Sequence, residues 1–322
     1  MSEKERLVAG VRAADRRLLA KAITLAESTR ADHQALAREV MTELLPRTGK
    51  ALRMGITGSP GVGKSTLIEA LGLRLIDEGH RVAVLAVDPS SAITGGSVLG
   101  DKTRMNELAR NDRAFIRPSP ASGALGGVAA HTREAMLFAE AAGFDVVIVE
   151  TVGVGQSETD VANLTDVFVL MQLPNAGDDL QAMKKGVVEL ADIIVYNKRD
   201  LDPAAADRAM KQMEGALTLL RPASAHWKPI VLGASALRHE GIGAFWDEVK
   251  RCHDILAASG ELAAKRRRQA LSWTWHLIDA GLRERFRGDA EVKSALPGVL
   301  DQVAAGTLTP TAAAAALLHK GD

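Results

Sequence analysis

Six short, mainly apolar runs, at residues 53–57, 82–87, 145–150, 166–171, 193–196 and 229–232, punctuate the middle of this 322-residue chain, with helix-period patterns between most of them. Continuous apolar runs of that length, without polar alternation, suit strands buried on both faces. Their alternation with helices predicts an α/β fold, a mostly parallel sheet flanked by helices on both faces. In such a sheet ligands bind beyond the carboxyl ends of the strands. Every polar motif described below falls at such an end.

The flanks read differently. Residues 3–45 carry helix-period apolar positions (Leu7, Val11, Leu18, Leu19, Ala22, Leu25, Leu36, Val40, Leu44) and stop at Pro46. From residue 255 the pattern is helical again, with Leu271, Trp275, Ile278, Leu282 and Phe286 on one stripe and an alanine run at 312–316. The expected organisation is an N-terminal helical extension (1–47), a central α/β domain (48–254) and a C-terminal helical extension (255–322). The stripe has no obvious partner inside a complete α/β core. It implies either self-association or packing on the N-terminal helices.

Composition narrows the function. The 40 basic and 40 acidic residues cancel, so electrostatics make no case for nucleic acid. No apolar run reaches membrane-spanning length. Acidic Glu3 and Glu5 make the first residues unlike a secretory signal or transit peptide. Cys252 is the single cysteine and the eight histidines show no zinc-ligand spacing, which excludes a disulfide or a Cys-cluster metal site. A cytoplasmic protein is expected.

Gly58-Ser59-Pro60-Gly61-Val62-Gly63-Lys64-Ser65 matches the Walker A pattern, after a strand and before a helix, and Thr66 continues it. Its glycines let the loop curl so that successive N–H groups point at a β-phosphate, and the helix start near Lys64 adds its partial positive charge. Lys64 would bridge the β- and γ-phosphates, and the Ser65 hydroxyl would ligate Mg²⁺. The expectation is a P-loop NTPase.

Asn197-Lys198-Arg199-Asp200 follows the run at 193–196 directly. Asp200 would accept from N1–H and the 2-amino group of guanine, donors that adenine lacks there. Asn197 would reach the N7/O6 side, and the Lys198 stem would lie along the base. Downstream, Gly233-Ala234-Ser235-Ala236 ends another strand, and Ser235 and Ala236 would offer backbone N–H groups to O6. GTP and GDP are the expected ligands.

Three acids fall around the expected metal. Val87-Asp88-Pro89-Ser90-Ser91 ends the second strand, expected beside the P-loop strand, where Asp88 would reach the Mg²⁺ shell or orient the attacking water. Asp101 lies in a glycine-rich stretch with Gly95, Gly96 and Gly100. The strand before Glu150-Thr151-Val152-Gly153 resembles a Walker B strand with Glu150 in the acid position, and Gly153 would donate its N–H to the γ-phosphate. Ordinary caps at strand ends are the alternative reading for these acids. A further loop, Pro174-Asn175-Ala176-Gly177-Asp178-Asp179, leads into a helix carrying Lys184 and Lys185, where plain helix capping is the alternative.

Together these residues resemble the MeaB family, the GTPases associated with methylmalonyl-CoA mutase, which include ArgK-type proteins. The resemblance is carried by residues 55–58 into the Walker A, Ala86-Val87-Asp88-Pro89-Ser90-Ser91, residues 95–105, residues 115–120, Leu125-Gly126-Gly127-Val128-Ala129, residues 149–158 and Asn197-Lys198. It implies a homodimer, and a partner that is an adenosylcobalamin-dependent acyl-CoA mutase whose cofactor loading and repair the GTPase gates. It also implies that Asp88, Asp101 and Glu150 surround Mg²⁺, and that residues 173–185, with Lys184 and Lys185, form a switch answering to the partner.

Phosphoryl transfer needs charge neutralisation and an aligned water more than covalent chemistry. No motif fixes a glutamine or arginine finger in cis, so slow intrinsic turnover accelerated by a partner is expected. A metallochaperone GTPase for nickel enzymes would want Cys/His ligands to carry metal. An ArgK-type kinase would want an acceptor site, and no acceptor motif is evident. A signal-recognition GTPase would want a basic, methionine-rich module.

Overall fold

A computed structural model of the protein describes residues 1–88, 105–120, 127–151, 157–174, 185–220 and 222–319, and of residues 87, 88, 119, 120, 127–130, 157 and 185 the backbone alone. The described residues form two compact units, Met1–Gln269 and Ala270–Asp322.

In the first unit, helices α1 (Glu3–Arg12), α2 (Arg16–Ala26) and α3 (Ala31–Leu44) come first. Ser2 closes a capping box with Glu5, and Asp15 caps α2 by accepting from Arg17 and Leu18. Seven strands follow: β1 (Leu52–Gly58), β2 (Val82–Asp88), β3 (Ala114–Pro120), β4 (Val146–Thr151), β5 (Val167–Gln172), β6 (Ile193–Tyr196) and β7 (Ile230–Gly233). Between them lie α4 (Lys64–Asp77), α5 (Asn106–Arg110), α6 (Gly127–Ala141), α7 (Ser157–Ala162), α8 (Lys185–Leu190) and α9 (Pro203–Leu217), and after them α10 (Ile242–Ala258) and α11 (Glu261–Gly288). Every pairing is parallel, in the order β3-β2-β4-β1-β5-β6-β7.

Alternate strand residues feed two cores. Met54, Ile56, Val84, Ile148, Val169 and Val195 join α4 and α10 on one face. Ala83, Leu85, Val147, Val149, Phe168 and Ile194 join α1, α2, α3 and α6 on the other. Burial on both faces is what made these strands continuous apolar runs. The N-terminal helices therefore share a core with the sheet.

Three details depart from the expected pattern. The strand at Ala114–Pro120 carries Pro118 and Pro120, which a sequence reading demotes because proline cannot donate to a ladder. It survives here as an edge strand, pairing with β2 alone. Next, β2 does not lie beside the P-loop strand. β4 comes between them, because the chain crosses from β1 over to β2 and β3 and returns. Finally, Asp145 and Asp166 precede their strands rather than open them. Their carboxylates accept from the backbone N–H of Arg81 (2.7 Å) and Arg53 (2.9 Å), a capping use typical of short acids at strand entries.

The start of α11 is tied to the end of the sheet away from the P-loop. Arg266 grips Asp166 through Nε (2.8 Å) and Nη2 (2.6 Å), Lys265 donates to the Asp166 carbonyl (2.7 Å), and Gln269 donates to the Thr165 carbonyl (3.0 Å). Nearby, Arg53 pairs with Glu140 at 2.5 Å with both side chains buried. Deleting one partner of such a pair leaves a desolvated charge, at roughly 3–5 kcal/mol.

The second unit holds the rest of α11 with α12 (Ala290–Ala304) and α13 (Pro310–Leu318). Thr309 caps α13, and the alanine run lies inside that helix. Leu271, Trp275, Ile278 and Leu282 are exposed, at 58%, 66%, 42% and 55%.

Candidate functional site: a phosphate loop and a base pocket

The phosphate loop leaves β1 at Gly58 and enters α4 at Lys64. Two glycines are needed for steric reasons. A Cβ at Gly58 would fall 2.6 Å from the Met171 carbonyl oxygen, and one at Gly63 would fall 2.5 Å from Asn197 Nδ2, with φ at +149° and +97°. Val62 is buried and anchors the loop, while Ser59, Pro60, Gly61 and Thr66 are exposed around it. Gly63 caps α4 with no side-chain hydrogen bond. The first-turn amides of α4 are therefore left for another acceptor, which is the condition for anion binding at a helix start.

Lys64 is 8% exposed and folds back across the loop, donating from Nζ to the carbonyls of Gly58 (2.6 Å) and Ser59 (3.1 Å). The Ser65 hydroxyl donates to Glu150 Oε1 at 3.0 Å, both groups being buried. The register explains this meeting: β1 pairs with β4 so that Ile56 lies opposite Glu150. One residue on, the Thr151 hydroxyl donates to Thr57 Oγ1 at 2.7 Å and ties the two strand ends together. Hydroxyl and carboxylate oxygens suit a hard divalent cation, and Mg²⁺ commonly takes only one or two protein ligands beside phosphates and water. The pair at Ser65 and Glu150 fits that requirement. Among the described residues no group of three or more His, Cys, Asp or Glu could hold a metal.

Asp88 ends β2, where Val87 lies opposite Thr151, so its backbone stands level with the end of β4. Its side chain lies outside the described residues. So do Asp101, Gly153, Lys184 and residues 95–100 entirely, while Lys185 is described as the first residue of α8 without its side chain.

The candidate base site is built around Asn197, 1% exposed and directly after β6. Its Nδ2 donates to the Val62 carbonyl (2.8 Å), and its Oδ1 accepts from the Ala236 N–H (3.0 Å). One side chain thus joins the phosphate loop, the Asn197–Asp200 turn and the Ser235-Ala236 loop. Lys198 takes a left-handed conformation (φ 59°), Arg199 N–H donates to the Ala234 carbonyl (3.1 Å), and the Asp200 side chain is 7% exposed. Ser235 and Ala236 are buried. Sequence reasoning missed the Thr57–Thr151 tie and the bridging use of Asn197. Neither has a local signal, because their partners are 94 and 135 residues away.

A profile of the family described as Methylmalonyl Co-A mutase-associated GTPase MeaB matches residues 19–291. The chain belongs to the MeaB family. Members of this family are P-loop GTPases, and relatives span the chain. A putative GTPase of Caulobacter vibrioides is 52% identical over 98% of this chain and 96% of its own length. The GTPase ArgK of Escherichia coli is 52% identical over 82% of this chain and 80% of its own length. The mitochondrial methylmalonic aciduria type A homolog of Mus musculus is 45% identical over 99% of this chain and 80% of its own length. A crystal structure of a LAO/AO transport system kinase superposes with a TM-score of 0.79 at 38% identity, covering 99% of this chain and 98% of that one. No helix among the described residues is long and apolar enough to cross a membrane.

Proposed function

We propose that this protein is a G-protein chaperone: it binds GTP with Mg²⁺ at this site, hydrolyses it to GDP and phosphate, and uses the cycle to gate adenosylcobalamin loading and protect or reactivate a cobalamin-dependent acyl-CoA mutase of the methylmalonyl-CoA type. The observation that carries the nucleotide part is the junction at Asn197, which locks a phosphate loop and a base turn at hydrogen-bond distance from one side chain. The partner rests on the family, whose members are described by their association with methylmalonyl-CoA mutase.

In this reading Lys64 leaves its carbonyl partners and pairs with the β- and γ-phosphates, while the loop amides and the first turn of α4 hold the β-phosphate. Ser65, Asp88, Asp101 and Glu150 would hold Mg²⁺, which would neutralise charge developing on the phosphate oxygens. Asp88 or Glu150 would orient the attacking water. Gly153 would donate to the γ-phosphate. Lys198, Asp200, Ser235 and Ala236 would receive the guanine. The site of action is the cytoplasm.

The partner should accelerate hydrolysis by fixing the loops beyond the strand ends, and GTP should in turn alter partner affinity, since coupling in binding is reciprocal. A purified adenosylcobalamin-dependent methylmalonyl-CoA mutase is expected to raise the GTPase rate at least about tenfold, roughly 1.4 kcal/mol of barrier. Lys184→Ala and Lys185→Ala should blunt that stimulation more than intrinsic hydrolysis. Equal rates with and without a mutase that demonstrably binds would remove the partner reading and leave the GTPase.

A homodimer is part of the proposal. The exposed row of Leu271, Trp275, Ile278 and Leu282 supports it, because large apolar groups aligned on one helix face gain most from a covering partner. Truncation before α11 would be a poor test, since it strips Arg266 from buried Asp166. Substituting Leu271 and Trp275 together by Glu in the full chain should instead halve the mass seen by light scattering. An unchanged mass would place the dimer contact elsewhere or remove it.

A further inference from the structure

Asp200 is a nearly buried carboxylate in the base pocket, and an isolated ionised acid there would be costly to desolvate. Its ion-pair partner is Arg238, whose Nε lies 3.4 Å from Asp200 Oδ2. The neighbouring cation Arg199 is turned the other way, with Nε and Nη2 on Asp207 at 3.2 and 3.0 Å. Arg238 comes from a separate loop, and that loop is locked. Ser235 and Glu240 exchange two backbone hydrogen bonds at 3.0 Å, Arg238 N–H donates to the Ser235 hydroxyl (3.3 Å), and His239 closes the turn at φ 57°. The same loop carries the Ala236 N–H that bonds to Asn197. With its side chain 61% exposed, Arg238 adds little to folding through this pair, so stability does not account for it.

We infer that Arg238 is a positioning residue for guanine selection: it keeps the Asp200 carboxylate aimed, and it stays beside Oδ2 while the base docks. A carboxylate offers about four lone-pair sites, so an ion-pair contact at 3.4 Å on the Oδ2 side leaves acceptors for both guanine donors. The arrangement couples the Ser235–Glu240 loop to the base-selecting acid by charge, across a gap in sequence that local motifs do not span. This inference rests on the guanine reading of the pocket.

The test compares wild type, Arg238→Met, Arg238→Lys and Asp200→Asn for GDP affinity by calorimetry and for GTP hydrolysis. Met keeps the apolar stem and drops the charge. Arg238→Met is expected to raise the GDP Kd and the GTP KM by about tenfold, with kcat held within about twofold, and Arg238→Lys is expected to recover most of the loss. GDP binding by Arg238→Met equal to wild type, a Lys variant no better than the Met variant, or a loss confined to kcat would each overturn the assignment. Asp200→Asn separates the two ideas. If it weakens GDP while Arg238→Met does not, the guanine pocket stands and Arg238 has no part in it. If Asp200→Asn leaves GDP affinity intact, the guanine reading itself fails and the Arg238 proposal goes with it.

Discussion

Lys64→Ala is expected to lower GTP turnover at least about a thousandfold, some 4 kcal/mol of barrier, while leaving the folded protein intact. The two halves of that expectation have separate grounds. Lys64 lies inside the loop with its ammonium on two loop carbonyls, Gly58 and Ser59, and not in either apolar core. The core contacts at this corner come from Val62, Leu67 and Ile68, which the substitution does not touch. Losing the ammonium therefore removes a charge that a γ-phosphate needs without opening a cavity of consequence. Single-turnover hydrolysis and a thermal melt without nucleotide check both halves. Turnover like wild type's would sink the phosphate-site assignment. Collapse of the melt would show that Lys64 holds the fold.

Asp200→Asn is expected to weaken GTP by about a thousandfold, ~4 kcal/mol, and to turn preference toward xanthosine triphosphate. Guanine presents two donors, N1–H and the 2-amino group, to one carboxylate. An amide presents one acceptor and one donor, so its N–H would face the 2-amino group with neither able to accept. Xanthine replaces that amino group by an oxygen, which the amide N–H can meet. The near burial of the Asp200 side chain makes the mismatch costly, because water cannot repair it. Competition binding with GTP, xanthosine triphosphate and ATP decides the matter. Wild-type protein that bound ATP as well as GTP would undo the guanine reading altogether.

Much of the fold was legible because its signals are local. Strands buried on both faces appear as continuous apolar runs, and the Walker A glycines mark a turn that other residues cannot make. Strand boundaries shifted by a residue where a polar side chain served the backbone, as at Asp145 and Asp166. The strand at Ala114–Pro120 escaped because its prolines contradict strand propensity, and only its place at the sheet edge makes them tolerable.

The candidate site divides the same way. Sequence by itself determined which residue types stand at which strand ends: the phosphate loop after β1, Glu150 at β4, Asn197 and Asp200 after β6. It did so because each motif needs a fixed local geometry and therefore a fixed local spacing. Tertiary structure alone decided what those ends do to one another. The order β2-β4-β1 moved Asp88 away from the P-loop strand, register set Glu150 against Ser65, and Asn197 was drawn into bridging Val62 and Ala236. The pairing of Arg238 with Asp200 belongs to this second class. Parallel pairing joins strands distant in sequence, so contacts across strand ends depend on the crossover order, and no local spacing records that order.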